Sequence, residues 1–197
     1  MLIDTDLLIT WGGKSKKFKK HDFIFLEDEE PKWFYQILTG RVRMFNTSPE
    51  GKEFTQGIFS PGDSYGEPAL LIQQPYPATA EAMEDSIIQM LPKETFFRIL
   101  KEYPETQDQL LCLMAKRIYN KSISSRSIVN CKPETRIIQF LANLKSSTQC
   151  KNQKLLIPFT RQEIANLTGL RVETVIRTLT KMADKKEVEI INHKLYY

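Results

Sequence analysis

Two side chains of opposite charge, Glu173 and Arg177, lie four residues apart near the C-terminal end of the chain. In a helix this spacing places both side chains on one face, about one turn apart. An arginine can donate two hydrogen bonds to O6 and N7 of a guanine, and a glutamate can accept one from N4 of a cytosine. The pair is therefore a candidate for reading bases in a DNA major groove. The alternative is an ordinary salt bridge on a solvated helix.

The segment before this pair has the pattern of a capped helix followed by a turn. Thr160 and Glu163 have the spacing of a capping box, in which each side chain accepts a hydrogen bond from the backbone N–H of the other residue. Gly169 predicts the turn, because glycine adopts positive φ at little energetic cost. A helix that begins after Thr160 and ends at Gly169 would be the first half of a helix-turn-helix.

The second helix of this motif would carry the candidate base-reading side chains. Val175 and Leu179 are four residues apart and are predicted to be its buried anchors. Arg171, Glu173 and Arg177 then lie on the outward face. A helix-turn-helix places its second helix in the major groove, so this segment indicates DNA binding.

Basic charge is concentrated in the part of the chain that holds this motif. Residues 133–197 contain 11 Lys and Arg against 6 Asp and Glu, whereas residues 1–132 contain 17 against 18. The formal net charge of +4 therefore comes from the C-terminal part alone. Positive charge neutralises phosphates and supplies the sequence-independent part of DNA affinity, and a near-neutral remainder argues against general polyanion binding.

Length and composition are those of a globular protein with one or two domains. The chain has 197 residues, of which 41% are hydrophobic and 26% are charged. No apolar run approaches the roughly 18 residues that span a bilayer. The first residues lack the basic flank and long apolar core of a signal peptide. We therefore expect no membrane association and a cytoplasmic location.

Side chains suited to metal binding or nucleophilic catalysis are few and scattered. Cys112, Cys131 and Cys150 are far apart and have no nearby histidine, which argues against a zinc or iron–sulfur site. The two histidines, His21 and His193, are distant in the sequence and too few for a metal cluster, and any Ser/His/Asp or Cys/His set would have to use one of them. We expect no enzyme activity, no metal and no bound cofactor.

The N-terminal half alternates short apolar segments with Gly and Pro turns, a pattern typical of a β-barrel or jelly roll. Its lysine-rich run 14–20 is predicted to be the solvated face of a strand with Phe18 pointing inward, and a functional basic patch is the alternative. The predicted strands are 21–26, 34–38, 41–45, 54–59, 78–83 and 86–91.

A long helical stretch, 93–129, follows the strands and is interrupted near Pro104. Apolar residues recur along it at Leu110, Leu111, Met114, Ile118 and, more loosely, Ile128, and the candidate stripe is Leu110, Met114 and Ile118. We expect one face of this helix to lie on the barrel and the stripe to meet a second subunit.

Lys132–Pro133 ends the long helix, and a small C-terminal module follows. Its pattern predicts a winged helix, with a hairpin about Asn192 and His193 after the helix-turn-helix. The further predicted elements are a helix at 134–145 and strands at 155–159, 187–191 and 194–197.

Four segments in this order resemble the cyclic-AMP receptor protein/FNR (Crp/Fnr) superfamily of bacterial transcription regulators, over essentially the whole chain. They are Leu38–Val42 (LTGRV), Pro61–Glu67 (PGDSYGE), Ala78–Ala82 (ATAEA) and Thr160–Arg177, with the long helix between the last two. The resemblance implies an α+β fold in three parts. These are a cupin-like sensor barrel of the cyclic-nucleotide-binding jelly-roll type at 1–103, a dimerisation helix at 104–132, and a winged-helix DNA-binding domain at 133–197.

The resemblance also implies partners. A homodimer would bind double-stranded DNA with two inverted half-sites about 34 Å apart, and RNA polymerase would be a further partner. The dimer interface would include Leu110, Met114 and Ile118. The implied DNA-binding residues are Thr160, Arg161, Arg171, Val172, Glu173, Thr174 and Arg177.

The segment that binds phosphate in cyclic-nucleotide-binding members departs from them at one position, because Tyr76 stands where they have an arginine. Losing the charge-assisted pair to a phosphodiester could cost about 2–5 kcal/mol. A short helix from Pro68 would still point N–H groups at an anion. We expect an effector pocket that does not bind cyclic AMP. Its candidate residues are Gly66, Glu67, Ala69, Leu70, Tyr76, Ala78, Thr79, Arg117 and Lys121.

Two other functions stay open on the sequence alone. One is a family member gated by a cyclic nucleotide or another small ligand through an altered pocket. The other is a small-ligand-binding module without regulatory DNA binding. Oxygen sensing of the FNR type needs an N-terminal cysteine cluster, whereas the first cysteine here is Cys112. The sequence does not name an effector, or distinguish activation from repression.

Overall fold

A computed structural model describes residues 1–130, 132–147 and 154–197, with the side chains of 124–130 and 146–147 left out. Cys131, Cys150 and the side chain of Ile128 lie outside the described residues. The chain forms two compact units, Met1–Ile118 and Tyr119–Tyr197, and the division falls inside a long helix. Among the described residues, no helix combines the length and apolar character that crossing a bilayer requires.

The first unit contains eight strands, which form two antiparallel four-stranded sheets in the orders β1-β8-β3-β6 and β2-β7-β4-β5. Aromatic and aliphatic side chains fill the space between the sheets, and the predicted jelly-roll barrel is thereby confirmed. The strands are β1 (Lys14–Phe18), β2 (Phe23–Phe25), β3 (Trp33–Thr39), β4 (Val42–Thr47), β5 (Glu53–Phe59), β6 (Ser64–Tyr65), β7 (Thr79–Ala82) and β8 (Ser86–Pro92).

The lysine-rich run forms β1, at the edge of its sheet. Its lysines are exposed, and Phe18 is buried in the barrel. This confirms the prediction of a solvated strand. Lysines on an edge strand also discourage pairing with other chains.

Helices cover one side of the barrel. The sequence did not predict α1, a helix of six residues. Its N-cap is Asp4, whose side chain accepts a hydrogen bond from the backbone N of Asp6 at 2.9 Å. The predicted interruption near Pro104 is present, at Tyr103. The helices are α1 (Thr5–Thr10), α2 (Glu67–Ile72), α3 (Lys93–Glu102) and α4 (Pro104–Asn130).

The first part of α4 turns a different face inward from the one predicted. Leu110 is only 5% exposed and packs with Phe34 and Phe96 in a cluster of its own unit, and Met114 is half-buried against the same cluster. The prediction that Leu110 lies on a dimer seam is therefore wrong, because its side chain is already used inside the protomer. The outward face of α4 instead carries Leu111 and Ile118, each 69% exposed, with Ala115 between them.

The second unit packs three helices against a small antiparallel sheet of order β10-β11-β9. Asn192 and His193 have positive φ, 48° and 63°, as a two-residue hairpin turn with right-handed strand twist requires. The predicted winged helix is thus confirmed. Its elements are α5 (Pro133–Ser147), β9 (Leu156–Ile157), α6 (Arg161–Thr168), α7 (Val172–Asp184), β10 (Glu189–Ile191) and β11 (Lys194–Tyr196).

Candidate DNA-binding surface and effector site

The capped start of α6 has the geometry that the sequence predicts. The backbone N of Thr160 donates to Glu163 Oε2 at 2.7 Å, and the backbone N of Glu163 donates to Thr160 Oγ1 at 3.2 Å. Gly169 ends the helix in the left-handed region, at φ 67°. A helix leaves the first N–H groups at its start without partners, and the capping box supplies partners for two of them. The capping box thereby fixes where α6 begins, and Gly169 fixes how the chain turns into α7.

Helix α7 buries one side and exposes the other. Val175, Leu179 and Met182 are completely buried in the core of the second unit. Glu173 and Arg177 are exposed. Although their spacing would allow a salt bridge, these two side chains are not within 4.0 Å of each other in the part of the chain that the structure describes. Both therefore present their hydrogen-bonding groups outward, as base reading requires.

The other predicted DNA-binding residues lie around this pair with different degrees of exposure. Arg171 is the N-cap of α7 and is exposed, as is Thr160. Arg161 is half-buried, and this burial lowers the pKa of its guanidinium from the usual value. Val172 and Thr174 are also half-buried, and Val172 packs against the core. Val172 thus contributes to folding as well as to the surface.

Sequence reasoning missed Ile176. It lies between the buried Val175 and the exposed Arg177, and it is 49% exposed. Once Val175 and Leu179 are taken as the buried anchors, helical periodicity places Ile176 about 100° around α7 from Val175, so its exposure could have been predicted.

In the first unit, Tyr76 is buried inside the barrel. It is 1% exposed, and its ring stacks on Phe25 with ring centroids 3.7 Å apart and planes inclined by 13°. Tyr35 and Tyr65 extend the same aromatic cluster, with ring centroids 5.5 Å apart. The ring of Tyr76 is therefore part of the packed interior of the barrel.

The buried tyrosines are neutral hydrogen-bonding groups. Burial raises the pKa of Tyr35 to about 12, and burial likewise raises the pKa values of Tyr65 and Tyr76. The hydroxyl of Tyr76 lies 3.5 Å from the carbonyl oxygen of Trp33, and Tyr35 is a further partner. Tyr76 thus directs its one polar group at the protein.

Gly66 makes the close packing of these rings possible. It has φ 77° and precedes α2. A Cβ atom here would come within 3.2 Å of Cε1 of Tyr76 and 3.3 Å of Cε1 of Phe25. Both the backbone conformation and the nearby rings therefore favour glycine.

Glu67 and Arg117 are already paired with each other. Arg117 Nη1 donates to Glu67 Oε2 at 2.8 Å, and Nη2 donates to the carbonyl oxygen of Ser64 at 2.6 Å. The Glu67 side chain is 0% exposed. Its second oxygen, Oε1, has no hydrogen-bond partner among the described residues, and the same holds for Ser64 Oγ and Tyr65 Oη. The charge of Arg117 is thus committed to a buried carboxylate.

The remaining pocket candidates do not all line one site. Ala69 and Ala78 belong to the barrel core with Tyr76, whereas Leu70 packs into the cluster between the barrel and the helices. Thr79 Oγ1 accepts a hydrogen bond from the backbone N of Glu27 at 3.1 Å. Lys121 is exposed and belongs to the second unit. Pro68 is the second residue of α2, and α2 has only six residues.

Two family models match the chain, one in each part. Residues 15–103 match the cyclic nucleotide-binding domain, and residues 135–196 match the Crp-like helix-turn-helix domain.

Similar proteins match most of this chain. The transcriptional activator protein Anr of Pseudomonas aeruginosa is 26% identical over 199 residues, covering 96% of this chain and 81% of the relative. The cyclic AMP receptor protein of Thermus thermophilus is 26% identical over 167 residues, covering 85% and 76%. The structure of the c-di-GMP-responsive global regulator CLP of Xanthomonas campestris superposes with a TM-score of 0.83 at 16% identity, covering 97% of this chain and 96% of that one. This last likeness concerns the fold.

Proposed function

Because this chain belongs to the Crp/Fnr superfamily of bacterial transcription regulators, we propose that it binds an inverted-repeat operator as a homodimer and reads it through α7. The regulator acts on double-stranded DNA in the cytoplasm, with RNA polymerase as its further partner. In each half-site, Arg177 donates to a guanine and Glu173 accepts from a cytosine. Arg171, Thr160 and Arg161 contact the phosphates alongside.

One observation carries this proposal. Glu173 and Arg177 stand on the exposed face of a helix whose opposite face is locked into a core. An ion pair between Glu173 and Arg177 would satisfy their hydrogen-bonding groups within the protein. In the described part of the chain these two side chains are not within 4.0 Å of each other. A rigid helix with outward hydrogen-bonding groups is suited to direct readout.

Selection of bound sequences from random DNA tests the proposal. We expect an inverted repeat with half-sites about one helical turn apart and with a TGA-like core, as the family resemblance implies for this Glu-x-x-x-Arg pair. The base outside the core should differ from that of the cyclic-AMP receptor branch, since Val172 stands where that branch has a second arginine. Recovery of sequences without a shared motif would contradict the proposal.

The homodimer forms through the outward face of α4. Leu111 and Ile118 are large apolar side chains, each 69% exposed, and Ala115 lies between them on the same side. An exposed apolar stripe on a long helix is stabilised by pairing with a second copy of the helix. This stripe replaces the one that the sequence predicted through Leu110.

DNA binding does not require cyclic AMP. The ring of Tyr76 is packed on Phe25 in the barrel core, and Arg117 is held by Glu67 and Ser64. A second candidate function is gating by a small uncharged ligand. One observation favours it: three buried oxygen atoms have no hydrogen-bond partner among the described residues, namely Glu67 Oε1, Ser64 Oγ and Tyr65 Oη. A ligand that donates hydrogen bonds would satisfy these groups without needing a cationic site.

A further inference from the structure

One exposed side chain of α7 differs in chemistry from all its exposed neighbours. Every residue of α7 is described, and its other exposed residues are charged or polar. Ile176 is the single large apolar one, at 49% exposure. The exposed members of the set are Glu173, Ile176, Arg177, Thr180, Lys181 and Asp184.

Ile176 belongs to a row of methyl-bearing side chains beside the charged row. Val172, Ile176 and Thr180 follow one another at intervals of four residues, so they lie one above the other along α7. The hydroxyl of Thr180 donates to the carbonyl oxygen of Ile176 at 3.0 Å, which turns the polar atom of Thr180 onto the helix backbone. The row runs parallel to the row formed by Glu173 and Arg177.

An apolar side chain in a major groove has one specific target. Among the four bases only thymine presents a methyl group there, on C5. Consecutive residues of a helix are displaced by about 1.5 Å along its axis and about 100° around it. The group facing Ile176 therefore belongs to the base pair that Arg177 reads or to an adjacent one, because successive base pairs are about 3.4 Å apart.

We propose that Ile176 reads a thymine in each half-site by packing against its C5-methyl group. This inference rests on the proposed function, since it requires α7 to lie in the major groove. It assigns α7 two kinds of readout, with hydrogen bonds from the charged row and methyl contact from the apolar row. Ile176 is thus a specificity-determining residue for the DNA.

Replacing thymine by uracil isolates this contact, because uracil keeps the O4 acceptor and the base pairing and lacks only the methyl group. In the selected operator each thymine of the half-site is replaced in turn. For the wild-type protein, one replacement in both half-sites should weaken binding by about four-fold per half-site, the value expected for one buried methyl group. Ile176→Ala should bind the thymine and uracil operators equally at that position. At the same position, 5-methylcytosine should bind the wild type better than cytosine.

Two controls separate the possible outcomes. Leu156→Ala removes a similarly exposed apolar side chain, 43% exposed, from β9 and should keep the full thymine preference. Circular dichroism melting should show that Ile176→Ala remains folded, as expected for a half-exposed position. A uracil effect that persists in Ile176→Ala, or no uracil effect at any position, would overturn the role of Ile176. If the operator is selected and still depends on Arg177, the proposed function survives that result, whereas failure to select any motif overturns both.

Discussion

The principal residues expected to bind ligands are exposed in the second unit and buried or ion-paired in the first. In the second unit, Glu173 and Arg177 are exposed and, within the described chain, not ion-paired with each other. In the first unit, Glu67 and Arg117 form an ion pair at 2.8 Å, and Tyr76 is 1% exposed within a stack of rings. One unit keeps its polar groups for an external partner, whereas the other uses them internally.

This difference has a physical reason. An arginine that waits for a phosphate inside a barrel without ligand is a buried, unpaired charge, and its desolvation is unfavourable. A stack of aromatic rings avoids this cost by excluding water. A face that reads bases would gain nothing from internal pairing, since each internal bond would have to be broken on DNA. The contrast therefore predicts a second unit that binds DNA and a barrel that does not accept an anionic nucleotide.

A charge on the outward face of α4 should have the largest effect on DNA binding. In Leu111→Glu, two carboxylates would meet across the proposed seam, and the protein should become monomeric in light scattering. Affinity for the palindrome should fall by roughly 10²–10⁴-fold, because one molecule no longer engages both half-sites. Gln109→Glu, on an exposed part of the same helix, is the matched control and should stay dimeric. Persistence of the dimer in Leu111→Glu would show that the seam lies elsewhere.

Removal of the Tyr76 ring should destabilise the first unit. Tyr76→Ala leaves a cavity beside Phe25, and the free energy of unfolding should fall by about 3–5 kcal/mol, as for other large aromatic-to-alanine changes in a core. Urea unfolding monitored by tryptophan fluorescence reports on this unit, because Trp11 and Trp33 both belong to it.

The matched control for this change is Phe23→Ala on β2. Phe23 is 57% exposed, so its removal should alter stability by no more than about 0.5 kcal/mol. A loss for Tyr76→Ala as small as that of the control would mean that the ring does not belong to the core. The barrel could then open to a ligand at little cost, and the contrast between the units would disappear.

Loss of Arg177 should change sequence choice more than it changes general DNA affinity. Arg177→Ala removes one bidentate contact and should cost about 1–3 kcal/mol on the selected operator while relaxing the preference at one guanine. Lys181→Ala, on the same helix, should weaken specific and random DNA alike and reduce the salt dependence. Competition binding with both DNAs measures the difference. An equal loss on both DNAs for Arg177→Ala would reduce its role to a phosphate contact.

Local sequence signals were sufficient to predict the helix-turn-helix. The capping box of Thr160 and Glu163 and the positive φ of Gly169 depend on residues that are neighbours in the chain. The buried anchors Val175 and Leu179 follow from helical periodicity alone. These features form wherever the segment folds, so no knowledge of distant contacts is needed.

The remaining features depend on contacts between distant segments. Tyr76 is buried because Phe25, some fifty residues earlier in the chain, lies under its ring. Leu110 and Leu111 are adjacent and equally apolar, and only the position of α4 against the barrel decides which one is buried. For α4, the sequence shows which residues are apolar but not how far the helix is rotated against the core. Ile176 was missed although helical periodicity would have placed it outside the core, about 100° around α7 from the buried Val175.

Cyclic nucleotides should produce the smallest effect. Calorimetry with cyclic AMP or cyclic GMP at sub-millimolar concentration should show no saturable heat, and neither nucleotide should change operator affinity. Binding would require the stacked rings of Tyr76 and Phe25 to separate and Arg117 to leave a carboxylate that is 0% exposed. Leaving one partner of a buried ion pair unpaired costs about 3–5 kcal/mol, which a neutral tyrosine hydroxyl cannot compensate. Micromolar affinity for either nucleotide would contradict this, and its loss in Arg117→Gln would then show that Arg117 exchanges Glu67 for the phosphate.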